Sequence, residues 1–445
     1  MSPPKNTFSL IWVLYNLLFP LVFLCLLPKY LIRMCRRGGY AADFAQRFAR
    51  YSPSTAALLD APGRPVWIQA VSVGEVGIAL TYIAAAKKQR PDLRFVLTTN
   101  TSTAHAIAVK KLSAPDVVLY FPLDLPCVVR RVLARLRPAA LVLVENEMWP
   151  NLIRQCAAAS IPVHMVNGRI SEHSYRGYRK LRFITRRLLP LMSTFSMQSR
   201  GDADRLVDLG APAERVLVTG SAKYDLAPTP PSAREAATAY LHWISPAHGP
   251  VVVAGSTWPG EEAILLDWLQ SVLPAHPGTL LVLVPRHAER RAEVLAAIQS
   301  RHLPYVQKSI TPMPPGAAPA AATPPSVLLA DTTGELRGFY AAADIVFVGK
   351  SLTQTGGQNP IEPAVDARPV LVGPHMENFP AISGDFDAAR AWYRAPDADA
   401  LKRQLTQCLE QPGEAADTGR RAAELVAAHA GAITQMLARS LPASS

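Results

Sequence analysis

Short apolar runs alternate with longer stretches of mixed polarity along most of this chain. Runs at 66–71, 94–99, 116–120, 140–144, 162–166, 193–197 and 215–218 have strand length. Helix-length stretches such as 76–90, 125–136 and 148–159 fall between them. This alternation predicts a parallel, doubly wound α/β sheet. It stops at 226–250, "LAPTPPSAREAATAYLHWISPAHGP", rich in proline and alanine with one short helical patch. Strand-like runs then restart at 251–255, 280–284, 326–330, 344–348 and 369–372. A second α/β domain is expected there, interrupted at 311–325 by a low-complexity loop with too little apolar bulk to pack. Two Rossmann-like halves with a linker predict a cleft between domains, with ligands at the carboxyl ends of strands.

The N-terminus breaks this pattern. Residues 8–27, "FSLIWVLYNLLFPLVFLCLL", contain no charged side chain. Twenty helical residues span about 30 Å, the thickness of a bilayer core. Lys5 precedes the run, and Lys29, Arg33, Arg36 and Arg37 follow it, which places the body of the protein on the cytoplasmic side. A cleaved signal peptide fits poorly, because a charged n-region, a short apolar core and then an A-x-A site are poorly met. Asn16 and Pro20 leave open a segment embedded in one leaflet. The domains expected are 1–37 as anchor and basic flank, 38–228, and 229–445, with the last helix able to pack back on the first domain.

Composition narrows the class. At 49% hydrophobic and 18% charged residues, the chain is globular or membrane-associated rather than disordered. The net charge of +12 calls for an acidic partner. Five cysteines, without CxxC spacing or a nearby histidine cluster, argue against a disulfide framework or a zinc site.

Candidate chemistry sits at predicted strand ends. In "VSVGEVGIAL" (71–80), Glu75 opens a helix and reads equally as a cap or as chemistry. "VENEMWPNL" (144–152) carries Glu145 and Glu147; a first-turn cap accounts for Glu147, less readily for Glu145. "TGSAKYD" (219–225) offers Lys223. "AGSTWPGEE" (254–262) reads as an anion-binding turn around Ser256 or as ordinary capping. "VPRH" (284–287) places Arg286, a natural fork for phosphate, at a strand end. "DTTGEL" (331–336) enters another helix. "VGKSLTQTGGQNPIEPA" (348–364) combines the Gly356–Gly357 turn with Glu362, suited to ribose hydroxyls. Together these read as a nucleotide site. "RGDAD" (200–204) contains Asp-x-Asp, which helix capping explains better than metal binding. P-loop and complete GxGxxG motifs are absent. The stretch 175–190, "YRGYRKLRFITRRLLP", reads as one basic amphipathic helix with Tyr178, Leu181, Ile184 and Leu188 on its apolar stripe. It suits anionic lipid, and no aromatic-rich motif supports nucleic acid.

"VSVGE", "ENEMWPNL", "NGRIS" (167–171), "TGSAKYD", "GSTWPGEE", "VPRH", "DTTGEL" and "GGQNPIEPA", in this order, resemble the bacterial 3-deoxy-D-manno-oct-2-ulosonic acid (Kdo) transferases over roughly residues 8–440. The resemblance implies a GT-B fold with an N-terminal membrane anchor. It implies inverting, metal-independent transfer of Kdo from CMP-Kdo to lipid IVA, the lipid A precursor. The reaction would take place on the cytoplasmic face of the inner membrane, in lipopolysaccharide assembly, with no cofactor. By the same resemblance Glu75 corresponds to the general base, and Glu145 and Lys223 to transition-state stabilisers. Pro285 and Arg286, Thr333-Gly334-Glu335, and Asn359-Pro360-Ile361-Glu362 match the CMP-binding segments. Three positions depart from the family's pattern: Trp258 where His is frequent, Lys350 where Gly is common, and Gly168 where Ala is frequent.

Overall fold

In the computed structural model, which describes residues 10–21, 25, 43–314 and 324–442, the apolar runs become two seven-stranded sheets. Among the described residues every strand pair is parallel. The chain opens with α1 (residues 10–21) and α2 (Pro53–Leu59). The first sheet then begins with β1 (Val66–Gln69), α3 (Val73–Gln89), β2 (Phe95–Thr99), α4 (Ser102–Lys111), β3 (Val117–Tyr120) and α5 (Pro126–Leu136). It continues with β4 (Ala140–Val144), α6 (Pro150–Ala158), β5 (Val163–Gly168), α7 (Glu172–Lys180), α8 (Arg182–Leu188), β6 (Thr194–Met197), α9 (Arg200–Asp208) and β7 (Val216–Val218). The spatial order is β3-β2-β1-β4-β5-β6-β7, so the winding reverses beside β1. Residues alternate between its faces: Trp67 packs in one apolar layer, Val66 and Ile68 in the other.

The second sheet is laid out the same way. Its elements are α10 (Pro231–Ile244), β8 (Val251–Thr257), α11 (Glu261–Val272), β9 (Leu280–Pro285), α12 (Arg291–Gln299), β10 (Tyr305–Gln307), β11 (Val327–Leu329) and α13 (Leu336–Ala342). They continue with β12 (Ile345–Val348), α14 (Ile361–Ala364), β13 (Val370–Val372), α15 (Pro380–Ala388) and β14 (Tyr393–Arg394). Helices α16 (Ala398–Glu410), α17 (Pro412–His429) and α18 (Ala432–Ser440) close the chain. The order β10-β11-β9-β8-β12-β13-β14 reverses beside β8. Val251 and Val253 face one apolar layer, Val252 and Ala254 the other.

Contacts divide the chain into two units: residues up to Lys223 with those from Gly431 onward, and Tyr224–Ala430. These limits differ from 38–228 and 229–445 for local reasons. Tyr224 donates its hydroxyl to Asp385 at 2.7 Å and stacks on His429 at 4.9 Å, both in the second unit. Helix α18 places Ala432, Ile433, Met436 and Leu437 in the first unit's core, and Ser440 meets the Tyr82 hydroxyl at 2.7 Å.

Two expectations change. The basic stretch 175–190 is not one helix: Leu181 leaves helical geometry, separating α7 from α8. The break lets α8 dock on the end of α9, where Arg182 pairs with Asp208 at 2.8 Å and Thr185 donates to the Leu209 carbonyl at 2.7 Å. Leu181, assigned to an apolar stripe, is exposed in consequence. The apolar segment 8–27 lies partly outside the described residues, as does much of the 311–325 loop. Among the described residues no helix is long and apolar enough to cross a membrane.

Candidate active site

In the first unit, the carboxyl ends of β1, β4, β5 and the turn after β7 bring titratable groups together. Helix α3 starts at Ser72, whose hydroxyl oxygen accepts the Glu75 amide at 3.3 Å. The Glu75 carboxylate reaches back, accepting from the Ser72 hydroxyl and the Val71 amide, both at 2.8 Å. The arrangement is reciprocal in the manner of a capping box, with the carboxylate reaching the amide one residue ahead of the N-cap. Glu75 therefore caps its helix while remaining half-buried at the sheet end.

Glu145 leaves β4 in a left-handed conformation, φ +59°, unusual for a non-glycine residue. Such backbone strain, of order 1 kcal/mol, is held only where the surroundings enforce it. Asn167, at φ +53°, supplies part of that enforcement. Its amide nitrogen approaches Glu145 at 3.5 Å, and its carbonyl oxygen accepts the Ala222 amide at 2.9 Å, tying the Lys223 turn to β5. Burial pushes the Glu145 carboxyl up, and the charge of Glu75 adds to this, while Lys223 and Arg169 oppose it. Burial pushes the Lys223 ammonium down; Glu145 opposes the shift and Arg169 adds to it. Glu75, Glu145, Lys223 and Arg169 thus form one electrostatic cluster.

Glu147 belongs to it as well. The helix-cap reading of this residue does not hold: α6 has Trp149 at its N-cap and no side-chain capping bond there. Glu147 instead accepts from the Trp149 indole at 2.6 Å. Burial first, with Glu75 and Glu145 adding, pushes its carboxyl up to about 7. Arg169 and Asn167 were legible only as members of "NGRIS", at the end of a strand like Glu145. Asp202 of the Asp-x-Asp stretch is occupied locally, accepting the Ile170 amide at 2.8 Å and the Ser199 hydroxyl.

In the second unit the strand ends gather a different set. Glu262 accepts the Thr257 hydroxyl at 2.7 Å and pairs with Arg290 at 2.7 Å. Glu261 turns back to accept four amides, from Trp258, Lys350, Ser351 and Leu352, at 2.9–3.1 Å. Neither Ser256 nor Thr257 caps α11, whose N-cap is Gly260. Glu261 instead fastens the β8 turn to the β12 turn, and Glu262 fastens it to the segment after β9.

Beyond them, Arg286 begins the turn after β9, its amide bonded to the Thr257 carbonyl at 3.1 Å. Pro285 ends that strand. Burial pushes the Glu362 carboxyl up, opposed by Arg337, Asn359 and Arg286. The buried Tyr340 phenol feels both Glu362 and Arg286. A side chain at Gly255 would strike this phenol: its Cβ would lie 2.0 Å from the Tyr340 oxygen. Arg286, Glu362 and Tyr340 are therefore neighbours. Asn359 orders the start of α14, accepting the Ile361 amide at 3.2 Å, with Pro360 at the helix N-cap. The Thr333-Gly334-Glu335 turn has Gly334 at φ +93° and lies just ahead of Arg337. Glu335 itself pairs with Lys308 at 3.2 Å and with the Thr332 hydroxyl, away from Glu362.

A sequence model of the 3-deoxy-D-manno-octulosonic-acid transferase (kdotransferase) family matches residues 42–226, the span that holds Glu75, Glu145 and Lys223. A 3-deoxy-D-manno-octulosonic acid transferase of Bordetella pertussis is 36% identical, covering 91% of this chain and 93% of that protein. The chain belongs to the Kdo transferase family. A Kdo transferase of Haemophilus influenzae is 30% identical, over 89% of this chain and 90% of that protein. Among solved structures, a UDP-GlcNAc 2-epimerase of Neisseria meningitidis bound to UDP-GlcNAc shares the fold at 13% identity, with a TM-score of 0.54 over 84% of this chain and 100% of that one. Membership in the Kdo transferase family makes this chain a glycosyltransferase, and its two parallel α/β units are of the GT-B kind.

Proposed function

We propose that this Kdo transferase moves Kdo from CMP-Kdo to lipid IVA, with inversion and without a metal, in lipopolysaccharide assembly. The observation that carries the reading is the cluster of Glu75, Glu145 and Lys223 at sheet ends, within the span matching the family.

A sugar hydroxyl is a poor nucleophile at neutral pH. Glu75 takes its proton during attack, a contribution of about 10²–10⁴-fold. Breaking the ketosidic bond builds oxocarbenium-like charge, which the neighbouring carboxylate of Glu145 stabilises. Lys223, coupled to Glu145, balances that carboxylate as charge develops. The second unit holds CMP. Arg286 meets its phosphate, and Glu362 with Asn359 accepts and orders ribose hydroxyls. Pro285, Pro360, Ile361 and the Thr333–Glu335 turn shape the walls of that pocket.

In the same reading the chain works at the cytoplasmic face of the inner membrane. Trp12, Tyr15 and Asn16 of α1 hold the first unit, while Leu10, Leu14, Leu17, Leu18 and Leu21 stand exposed at the i, i+4, i+7, i+8, i+11 spacing of one helix face. That stripe serves as the lipid-facing part of the anchor, and the basic helices α7 and α8 meet anionic headgroups.

The test is to incubate the full chain with a CMP-Kdo supply and lipid IVA, then weigh the lipid product. A gain of one or more Kdo units is expected. No gain with CMP-Kdo, alongside turnover of a UDP-sugar, would sink the donor assignment.

A further inference from the structure

Two side chains at strand-end turns of the second unit, Lys350 and Trp258, touch each other. The Lys350 ammonium lies 4.7 Å from the centre of the Trp258 ring, a cation–π contact. Trp258 in turn sets its ring edge-on to His287 at 5.5 Å, next in sequence to Arg286. The contact joins the turns after β8, β9 and β12.

Lys350 is held there by its backbone. Its amide donates to Glu261 at 2.9 Å, and its carbonyl accepts the Gly357 amide at 3.0 Å. Its φ is +58°, a conformation glycine adopts freely and lysine only at a cost of order 1 kcal/mol. A position that suits glycine here carries a long cationic side chain instead. That side chain also reaches the glycine turn: a Cβ on Gly356 would stand 3.4 Å from the Lys350 nitrogen. The Trp258 indole N–H is buried without a hydrogen-bond partner, a donor left open beside the ammonium. Among the described residues the ammonium faces this aromatic ring and forms no ion pair with a carboxylate.

We infer that Lys350, seated on Trp258, is a donor-binding residue that gives an ammonium to an oxyanion of the nucleotide-sugar, either its phosphate or the carboxylate of its ulosonic acid. This rests on the reading that the second unit binds CMP-Kdo. Trp258 acts as a positioning residue, fixing the ammonium beside the Gly356–Gly357 turn.

Lys350→Gly is suited to the test, because glycine relieves the backbone strain and the variant should fold at least as well. Calorimetry on the full chain would compare CMP with cytidine, and steady-state assays would give KM and kcat for CMP-Kdo. Loss of one such contact should weaken binding about tenfold, or ~1.4 kcal/mol, with kcat changed less. If phosphate is the partner, Lys350→Gly weakens CMP and leaves cytidine alone; if carboxylate is, CMP is unaffected and the CMP-Kdo KM rises. Either result supports the inference. Lys350→Arg should recover part of the loss, and Trp258→Leu should reproduce part of it while Trp258→Phe does not. Unchanged CMP affinity together with an unchanged CMP-Kdo KM overturns the Lys350 assignment alone. Failure of the unsubstituted chain to bind either CMP or CMP-Kdo overturns the donor reading and this inference with it.

Discussion

At the scale of single residues, Glu75 can be asked about capping and chemistry separately. Its carboxylate oxygens take the Ser72 hydroxyl and the Val71 amide. Glutamine also serves at this position of a capping box, so Glu75→Gln should unfold within about 0.5 kcal/mol of the parent while turnover falls at least ~10²-fold. Near-normal turnover would remove Glu75 as the base. The capping pattern was legible in the sequence because its partners lie within four residues. The role of Glu147 was not, because two of the groups acting on its charge, Gln69 by a hydrogen bond and Glu75 by repulsion, lie more than 70 positions away in the chain. Its carboxyl is raised from 4.5 to about 7, so the native state holds this proton more tightly than the unfolded chain does. The associated stability is complete below pH about 4.5, declines as pH rises to about 7, and is absent above. Glu147→Gln should flatten that decline and exceed the parent at pH 8, by up to ~3 kcal/mol. Denaturant titrations of both chains from pH 4 to 8 would show parallel curves if Glu147 is not the cause.

At the scale of elements, α1 illustrates what periodicity reveals and what it leaves hidden. Hydropathy marked the segment as apolar, but one of its faces carries polar partners for the first unit. Tyr15 donates to Asp124 at 2.8 Å, Asn16 accepts from Asn151 at 2.7 Å, and Arg154 lies over the Trp12 ring. Asp124 also accepts the Asn151 and Leu152 amides, capping α6 from a distant turn. No local pattern announces a cap whose donor and acceptor are 27 residues apart. β10 and β14 escaped the strand pattern for another reason: "YVQ" and "YR" are not apolar runs, unlike the equally short "VLL" of β11 and "VLV" of β13. Asp124→Ala leaves two buried amides unpaired and should cost about 2–4 kcal/mol; Tyr15→Phe should cost about 1 kcal/mol. Amide exchange across residues 10–21 should accelerate in both variants. Acceleration confined to α6 would show that Asp124 does not hold α1.

At the scale of the whole molecule, the two doubly wound sheets were legible because buried parallel strands read as separate apolar runs, whereas side-chain meetings such as Lys350 with Trp258 join segments far apart in sequence. The net charge of +12 was equally plain, yet the fold changes which charges are available to a surface. In α7 and α8, Arg182 is partly buried against Asp208, whereas Lys180 and Arg187 are exposed, as is Arg176 beside Glu172. The exposed Leu181 and Phe183 lie between them. The proposed attachment to a bilayer would then have two physically different contributions. The cations should add about 1 kcal/mol each on anionic lipid and weaken with salt. The α1 leucines should add a part that salt does not weaken, at most about 1.5–3 kcal/mol per fully buried side chain. Sedimentation of the full chain with vesicles separates them. Lys180→Ala with Arg187→Ala should lower affinity for vesicles containing phosphatidylserine by ~2 kcal/mol, about thirtyfold, and flatten the salt dependence. Leu14→Ser with Leu17→Ser should weaken binding to anionic and neutral vesicles alike and leave the salt slope unchanged. Equal binding to neutral and anionic vesicles, untouched by the double alanine change, would deny α7 and α8 any part in attachment and leave α1 as its source.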